Sequence, residues 1–164
     1  MAATIVESGY YLAKYNDLSV AEPIENWETE YESAVWYSLK DELMAGYKWT
    51  VEKTEDSFDT AKDNNTIYVR TGFSDVIEMN GKRFVGGPGQ ELLKTHDRGV
   101  GAAAHILVKA ETADGTILVM KSNADVTERG TGTEGKKVAD FNAKFTNAEG
   151  DPVYIPGKAS TEGV

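Results

Sequence analysis

Apolar and polar positions alternate along much of the chain from residue 47 onward, the two-residue period of strands with one covered face. Residues 47–53 (YKWTVEK) put Tyr47, Trp49 and Val51 on one side. Residues 66–71 (TIYVRT) read as a strand, and residues 76–85 (VIEMNGKRFV) as a hairpin folded at Asn80-Gly81, a preferred type I′ pair. Residues 104–121 read as a second hairpin turning at Asp114-Gly115. Residues 138–146 and 153–155 give a last pair of strands around Asn147 to Asp151. Between these stretches, 54–65 and 124–137 are polar and read as loops, and Gly86-Gly87-Pro88-Gly89 interrupts the chain before a short helical turn at 90–96.

The first part has a different pattern. Residues 3–15 (ATIVESGYYLAKY) read as one or two short strands around Gly9, and Pro23 ends the alternation. In residues 27–45, Trp27, Tyr31, Val35, Leu39 and Leu43 recur every four positions, which predicts a helix. Asn26 is placed to cap it, Glu28 and Glu30 sit where the helix dipole favours acids, and Gly46 ends it. The expected fold is therefore mainly β (α+β), with roughly seven to nine strands. Its antiparallel hairpins form a sandwich or barrel, with one main helix near 27–45. No strand–helix–strand rhythm suggests a doubly wound fold. Residues 1–164 read as a single domain, with 1–22 as an extended arm and 157–164 as a flexible tail.

Composition sharpens this picture. The chain has 164 residues, 40% hydrophobic, with 16 Gly, 4 Pro and no Cys. Without Cys there is no disulfide framework, thiolate zinc site or cysteine nucleophile. Asp and Glu number 27 against 17 Lys and Arg, a net charge of −10. Residues 1–63 carry 14 acidic and 5 basic side chains, so −9 of that charge lies there, together with nine of the eleven Trp and Tyr. The balance argues against direct nucleic-acid binding through a basic surface. No apolar stretch is long enough to span a membrane as a helix, and no secretory signal is visible, so cytoplasmic synthesis is expected.

Candidate chemistry is sparse. His96 lies beside Asp97 and five residues after Glu91, while His105 opens a strand. Two histidines without converging ligands read as structural, so no metal site is expected. Gly99-Val100-Gly101 precedes a strand rather than a helix, and Gly86 to Gly89 lacks the Lys-Ser/Thr of a phosphate loop, although its amides open a helical turn. No serine sits in Gly-x-Ser-x-Gly. The hairpin at 101–121 resembles the opening hairpin of Nudix hydrolases, but residues 122–150 lack that family's Arg-Glu-x-x-Glu-Glu helix, so no catalytic residue carries over. No catalytic residue and no cofactor are assigned.

These features point to a non-enzymatic structural or interaction protein that self-assembles or docks on a larger protein assembly. A virion component, such as a capsid decoration or tail accessory protein, fits the description. The expected interface residues are Tyr10, Tyr11, Trp27, Tyr31, Trp36, Tyr37 and Trp49, because Tyr and Trp dominate interface hot spots and outnumber what one helix stripe buries. The partner is then a second copy or another protein. An alternative is an acidic inhibitor that mimics nucleic acid, presenting Glu22, Glu25, Glu28, Glu30, Glu32, Asp41 and Glu42 to a DNA- or RNA-handling protein. A third reading is a small hydrolase or carbohydrate-binding module using the aromatic face.

Overall fold

The computed structural model describes residues 16–62, 64–131 and 138–157. Eight strands dominate them, and the fold is mainly antiparallel β as the alternation predicts. In chain order they are β1 (Asp17–Ala21), β2 (Tyr37–Ser38), β3 (Met44–Asp59), β4 (Thr66–Lys82), β5 (His105–Glu111), β6 (Ile117–Asn123), β7 (Asp125–Thr131) and β8 (Asp140–Ile155). Two helices accompany them, α1 (Trp27–Glu30) and α2 (Pro88–His96).

The sheet order is β2-β1-β5-β6-β8-β4-β3, with β7 also on β8. The long strand β8 joins the two halves. Its residues 140–146 pair with β4, and 147–155 pair with β6 through a shifted register. The two halves share one core in which Leu18, Leu93, Ile106, Leu118, Phe141 and Phe145 are at most 1% exposed. The inward set follows the strand period: Leu18 and Val20, Ile106 and Val108, Leu118 and Met120, Phe141 and Phe145. The intervening positions of the central strands are buried too. Ala21, Leu107 and Val119 form a second cluster under Trp27 on the opposite face. Cover on both faces explains the unbroken apolar runs 106–108 and 117–120.

The hairpin of β5 and β6 forms as expected, with Gly115 at φ 90 supplying the positive φ of the turn. Several expectations are corrected. No helix runs over 27–45. Helix α1 ends at Glu30, a 3-10 turn follows at Tyr31–Ser33, Ala34 is extended at ψ 153, and a second 3-10 turn spans Leu39–Glu42. Asn26 is left-handed at φ 56 and makes no side-chain cap. The apolar residues that suggested a helix do not share a face. Trp27 enters one cluster, Leu39 enters the other, and Val35 and Leu43 are exposed. Pairing of β2 with β1 holds Tyr37 and Ser38 extended opposite Val20 and Ser19.

Asn80-Gly81 makes no turn either. Strand β4 runs through it, flanked by β3 and β8. Glycine is needed at 81 because a Cβ there would come within 2.9 Å of the Leu43 carbonyl oxygen. The expected loop at 54–65 is a strand as far as Asp59, and that at 124–137 is a strand over 125–131. Residues 17–21 of the expected arm form β1, a buried strand, because Leu18 and Val20 fill the core. The strands expected at 3–15 and the tail from 158 lie outside the described residues.

Candidate assembly surface

Strands β3 and β4 pair over nearly their whole length, from Met44 opposite Gly81 to Asp59 opposite Thr66. Only the half near residues 75–82 belongs to the packed body. Beyond the Val51–Asp75 pair no residue of the hairpin is buried. Yet this part carries Phe58, Ile67, Tyr68, Val69 and Phe73, with Tyr68 at 71% and Phe73 at 67% exposure. Opposed residues share a face, so Phe58 and Ile67 lie together at the tip, with Val69 two positions along on the same side. The other side carries Tyr68 and Phe73. Among the described strands β3 ends the sheet order, a position from which a sheet can be extended. A two-stranded ribbon with an uncovered apolar surface is marginal in water.

At the base of the hairpin lies a groove of about 640 Å³, walled by Trp49, Val51, Phe73, Pro152 and Tyr154. Trp49 and Tyr154 meet edge to face with centroids 6.2 Å apart. Three carboxylates, Asp75, Asp114 and Asp151, border it. Asp75 accepts from Trp49 Nε1 at 2.9 Å and fixes the indole. The Thr112 hydroxyl holds the Asp114 carboxyl below the usual carboxylate range, outweighing its partial burial, with help from the Thr116 amide.

The N-terminus of α2 is already occupied by an anion from its own chain. Glu42, only 4% exposed, accepts from the backbone N–H groups of Gly89 and Gln90 at 2.9 Å each. The Gln90 amide, also buried, donates to the carbonyls of Glu42 and Lys82 and accepts from Phe84 N and Arg83 Nη1. The Gly89 and Gln90 amides at the start of α2 therefore do bind a carboxylate, but an internal one. Glu42 belongs to no surface patch, which corrects the sequence expectation.

His96 closes the other end of α2. Its Nδ1 lies 2.8 Å from the Ala103 carbonyl oxygen and its Nε2 lies 2.9 Å from a Glu22 carboxylate oxygen. A carbonyl and a carboxylate only accept, so both ring nitrogens donate when the ring is protonated. Partial burial opposes the charge, but the Ala103 and Glu22 contacts outweigh it and raise the pKa above 6.5. A raised folded-state pKa contributes stability below the unfolded value, and that contribution is lost as pH rises through the folded one. The protein is therefore expected to lose this site's stabilisation as pH rises above about 6.5 and through the raised folded-state value. Thermal melts of the native chain and of His96→Gln check this. The difference between the two should shrink as pH rises.

The remaining expected site residues scatter. Trp27 is core, at 4% exposure. Tyr31 and Trp36 are half-buried against the same outer cluster, where Trp36 Nε1 donates to the Tyr31 carbonyl and Lys109 Nζ lies 4.8 Å from the Trp36 ring centroid. Tyr37 and Trp49 pack on the main core from elsewhere. Tyr10 and Tyr11 lie outside the described residues. Of the seven acids, Glu25, Glu28, Glu30, Glu32 and Asp41 are exposed. Glu22 is committed to His96, and Glu42 is internal. Among the described residues no three His, Asp or Glu side chains gather as a metal site, and no helix is long and apolar enough to cross a membrane. Sequence reasoning missed the hairpin tip. Phe58 stands among Glu55, Asp56 and Asp59, which suggested a loop, although the partner strand TIYVRT was recognisable.

No known family profile matches the chain, and no curated protein matches it. Solved structures do share its fold. It is similar to a chain in the tail of an empty gene transfer agent particle refined with C6 symmetry, at TM-score 0.61 and 8% identity, covering 85% of this chain and 96% of that one. A chain in the virion of the native gene transfer agent particle matches at TM-score 0.56 and 11% identity, with the same coverage. A chain in the six-fold symmetrised baseplate of the anti-feeding prophage matches at TM-score 0.50 and 7% identity, covering 90% and 97%. At these identities the likeness concerns the fold.

Proposed function

We propose that this chain is a non-catalytic structural subunit of a tail-like particle, assembling with copies of itself through the β3–β4 hairpin. The observation that carries this reading is the hairpin, with exposed Phe58, Ile67, Tyr68, Val69 and Phe73 on a strand pair whose β3 ends the sheet order among the described residues. Such an edge accepts a strand or a loop of a neighbour. In a ring or tube the hairpin would meet a different surface of the next copy. A contact of this head-to-tail kind closes into a ring or continues as a helix. The shared fold supports the same reading, since the similar chains come from a tail, a virion and a baseplate, two of them treated with sixfold symmetry. Tail architecture is favoured over capsid decoration for that reason, and the particle is the proposed place of action.

Light scattering after size exclusion, with negative-stain microscopy of concentrated protein, tests this. Rings or tubes are expected. A strict monomer at about millimolar concentration, an effective concentration that tethered sites reach, overturns it.

A further inference from the structure

The groove at the hairpin base is acidic as well as aromatic, and its charge has no counterpart among the described residues. Asp75, Asp114 and Asp151 border it, and no Lys, Arg or His does. None of the three carboxylates joins an ion pair among the described residues. Lys53 stands opposite Phe73 in the ladder, but it too is in no such pair. Asp75 is only 6% exposed and accepts from Trp49 Nε1, a neutral donor. A cation beside it would offset the desolvation of a carboxylate this deep. The walls are the rings of Trp49, Phe73 and Tyr154, whose faces also attract a cation. A guanidinium suits both features, because it is flat enough to stack on a ring and forks onto a carboxylate. The volume of about 640 Å³ is that of a site for a small ligand or for side chains.

The chain carries four arginines. Arg83 and Arg129 are engaged by Glu91 and Asp97. Arg70 and Arg98 form no ion pair among the described residues. Arg98 follows the end of α2, whereas Arg70 is exposed on the outer part of the hairpin, opposite Glu55 and two positions from Tyr68. Residues two apart in a strand share a face, so Arg70 and Tyr68 present a cation and a ring together. Arg70 stands five positions before Asp75 on β4, roughly 16 Å along the strand, farther than its own side chain reaches.

We infer that the groove receives Arg70 of a second copy, with that copy's Tyr68 packing on the aromatic wall. Charge complementarity carries the assignment: a groove with three unpaired carboxylates meets an unpaired arginine on the segment proposed to make the contact. Tyr and Arg side chains seated against Trp are also the residue types that dominate interface energetics. The inference rests on the proposed assembly through the hairpin and names the surface which that hairpin meets.

Charge reversal tests the contact. Arg70 and Asp151 are both exposed, so substitution at either should leave the melting temperature nearly unchanged. Sedimentation velocity at matched concentrations compares the full-length native chain with Arg70→Asp, Asp151→Arg and the double variant. Each single reversal is expected to weaken self-association at least about tenfold, since it sets like charges against each other. The double variant is expected to recover most of the loss, because the pair is rebuilt with opposite polarity, a coupling that two unrelated sites do not show. A double variant no better than the weaker single one overturns the inference. Assembly of Arg70→Asp equal to that of the native chain overturns it while leaving assembly through the hairpin standing. Loss in Asp151→Arg alone assigns the groove to a different cation and overturns the Arg70 contact. A native chain that stays monomeric overturns the proposed assembly and this inference with it.

Discussion

Excising residues 55–71 and closing β3 to β4 with Asn-Gly between Thr54 and Gly72 is expected to abolish self-association while leaving the melting temperature within a few degrees. The body should survive because none of the excised part's described residues is buried, whereas Ile77, Met79 and their partners in β8 stay in place. Asn-Gly supplies the positive φ values of a two-residue hairpin turn. Assembly should fail because the variant loses Phe58, Ile67, Tyr68 and Val69 together with much of β3. Phe73 is kept, so the groove wall is intact and the result bears on the hairpin alone. Sedimentation velocity beside a thermal melt separates the two effects. Assemblies of native size from the shortened chain would place the contact elsewhere.

Glu42→Ala is expected to destabilise the fold by about 3 kcal/mol, a fall in Tm of roughly 6–12 °C. The substitution strips acceptors from two buried N–H groups at the start of α2 and leaves a cavity under a helix that has no side-chain cap of its own. The surroundings cannot close over it easily. Gly87 and Gly89 have no side chain because a Cβ would lie 2.1 Å and 2.6 Å from the Glu42 carboxylate oxygens. Glu42→Gln keeps the volume and one acceptor, and should lose about half as much. By contrast Glu28→Ala, at an exposed position, should change stability by less than about 0.5 kcal/mol. Chemical denaturation of the three variants checks the order, and equal stabilities would remove Glu42 from the lock.

The contrast between Glu42 and Glu28 shows where reading the sequence stops. Both stand in the same acidic stretch, and nothing local distinguishes them. Glu42 is internal because the 3-10 turn after β2 carries it beneath α2, 47 residues away from its partner Gly89 in sequence. The carboxylate and the amides that need it are both visible in the sequence, but their meeting is a tertiary event. The same holds for Phe58 and Ile67. Each is an apolar residue in a strand, and whether such a residue enters a core or faces outward depends on how far the strand runs past its sheet.

What the sequence by itself determined is local. Period-two alternation with both faces apolar specified β5 and β6, and Asp114-Gly115 specified their turn, because side-chain direction and positive φ are properties of a few adjacent residues. The acidic, aromatic character of the first part and the lack of catalytic motifs were equally legible. Only the tertiary structure decided the rest. The four-residue spacing over 27–45 serves two separate apolar clusters rather than one helix face, because β1 recruits Tyr37 and Ser38 as a strand. Asn80-Gly81 stays extended because β3 and β8 hold it from both sides, and many ladder bonds outweigh one turn preference. The hairpin became a surface because its strands outrun the sheets that could have buried them, a consequence of sheet order that no local pattern contains.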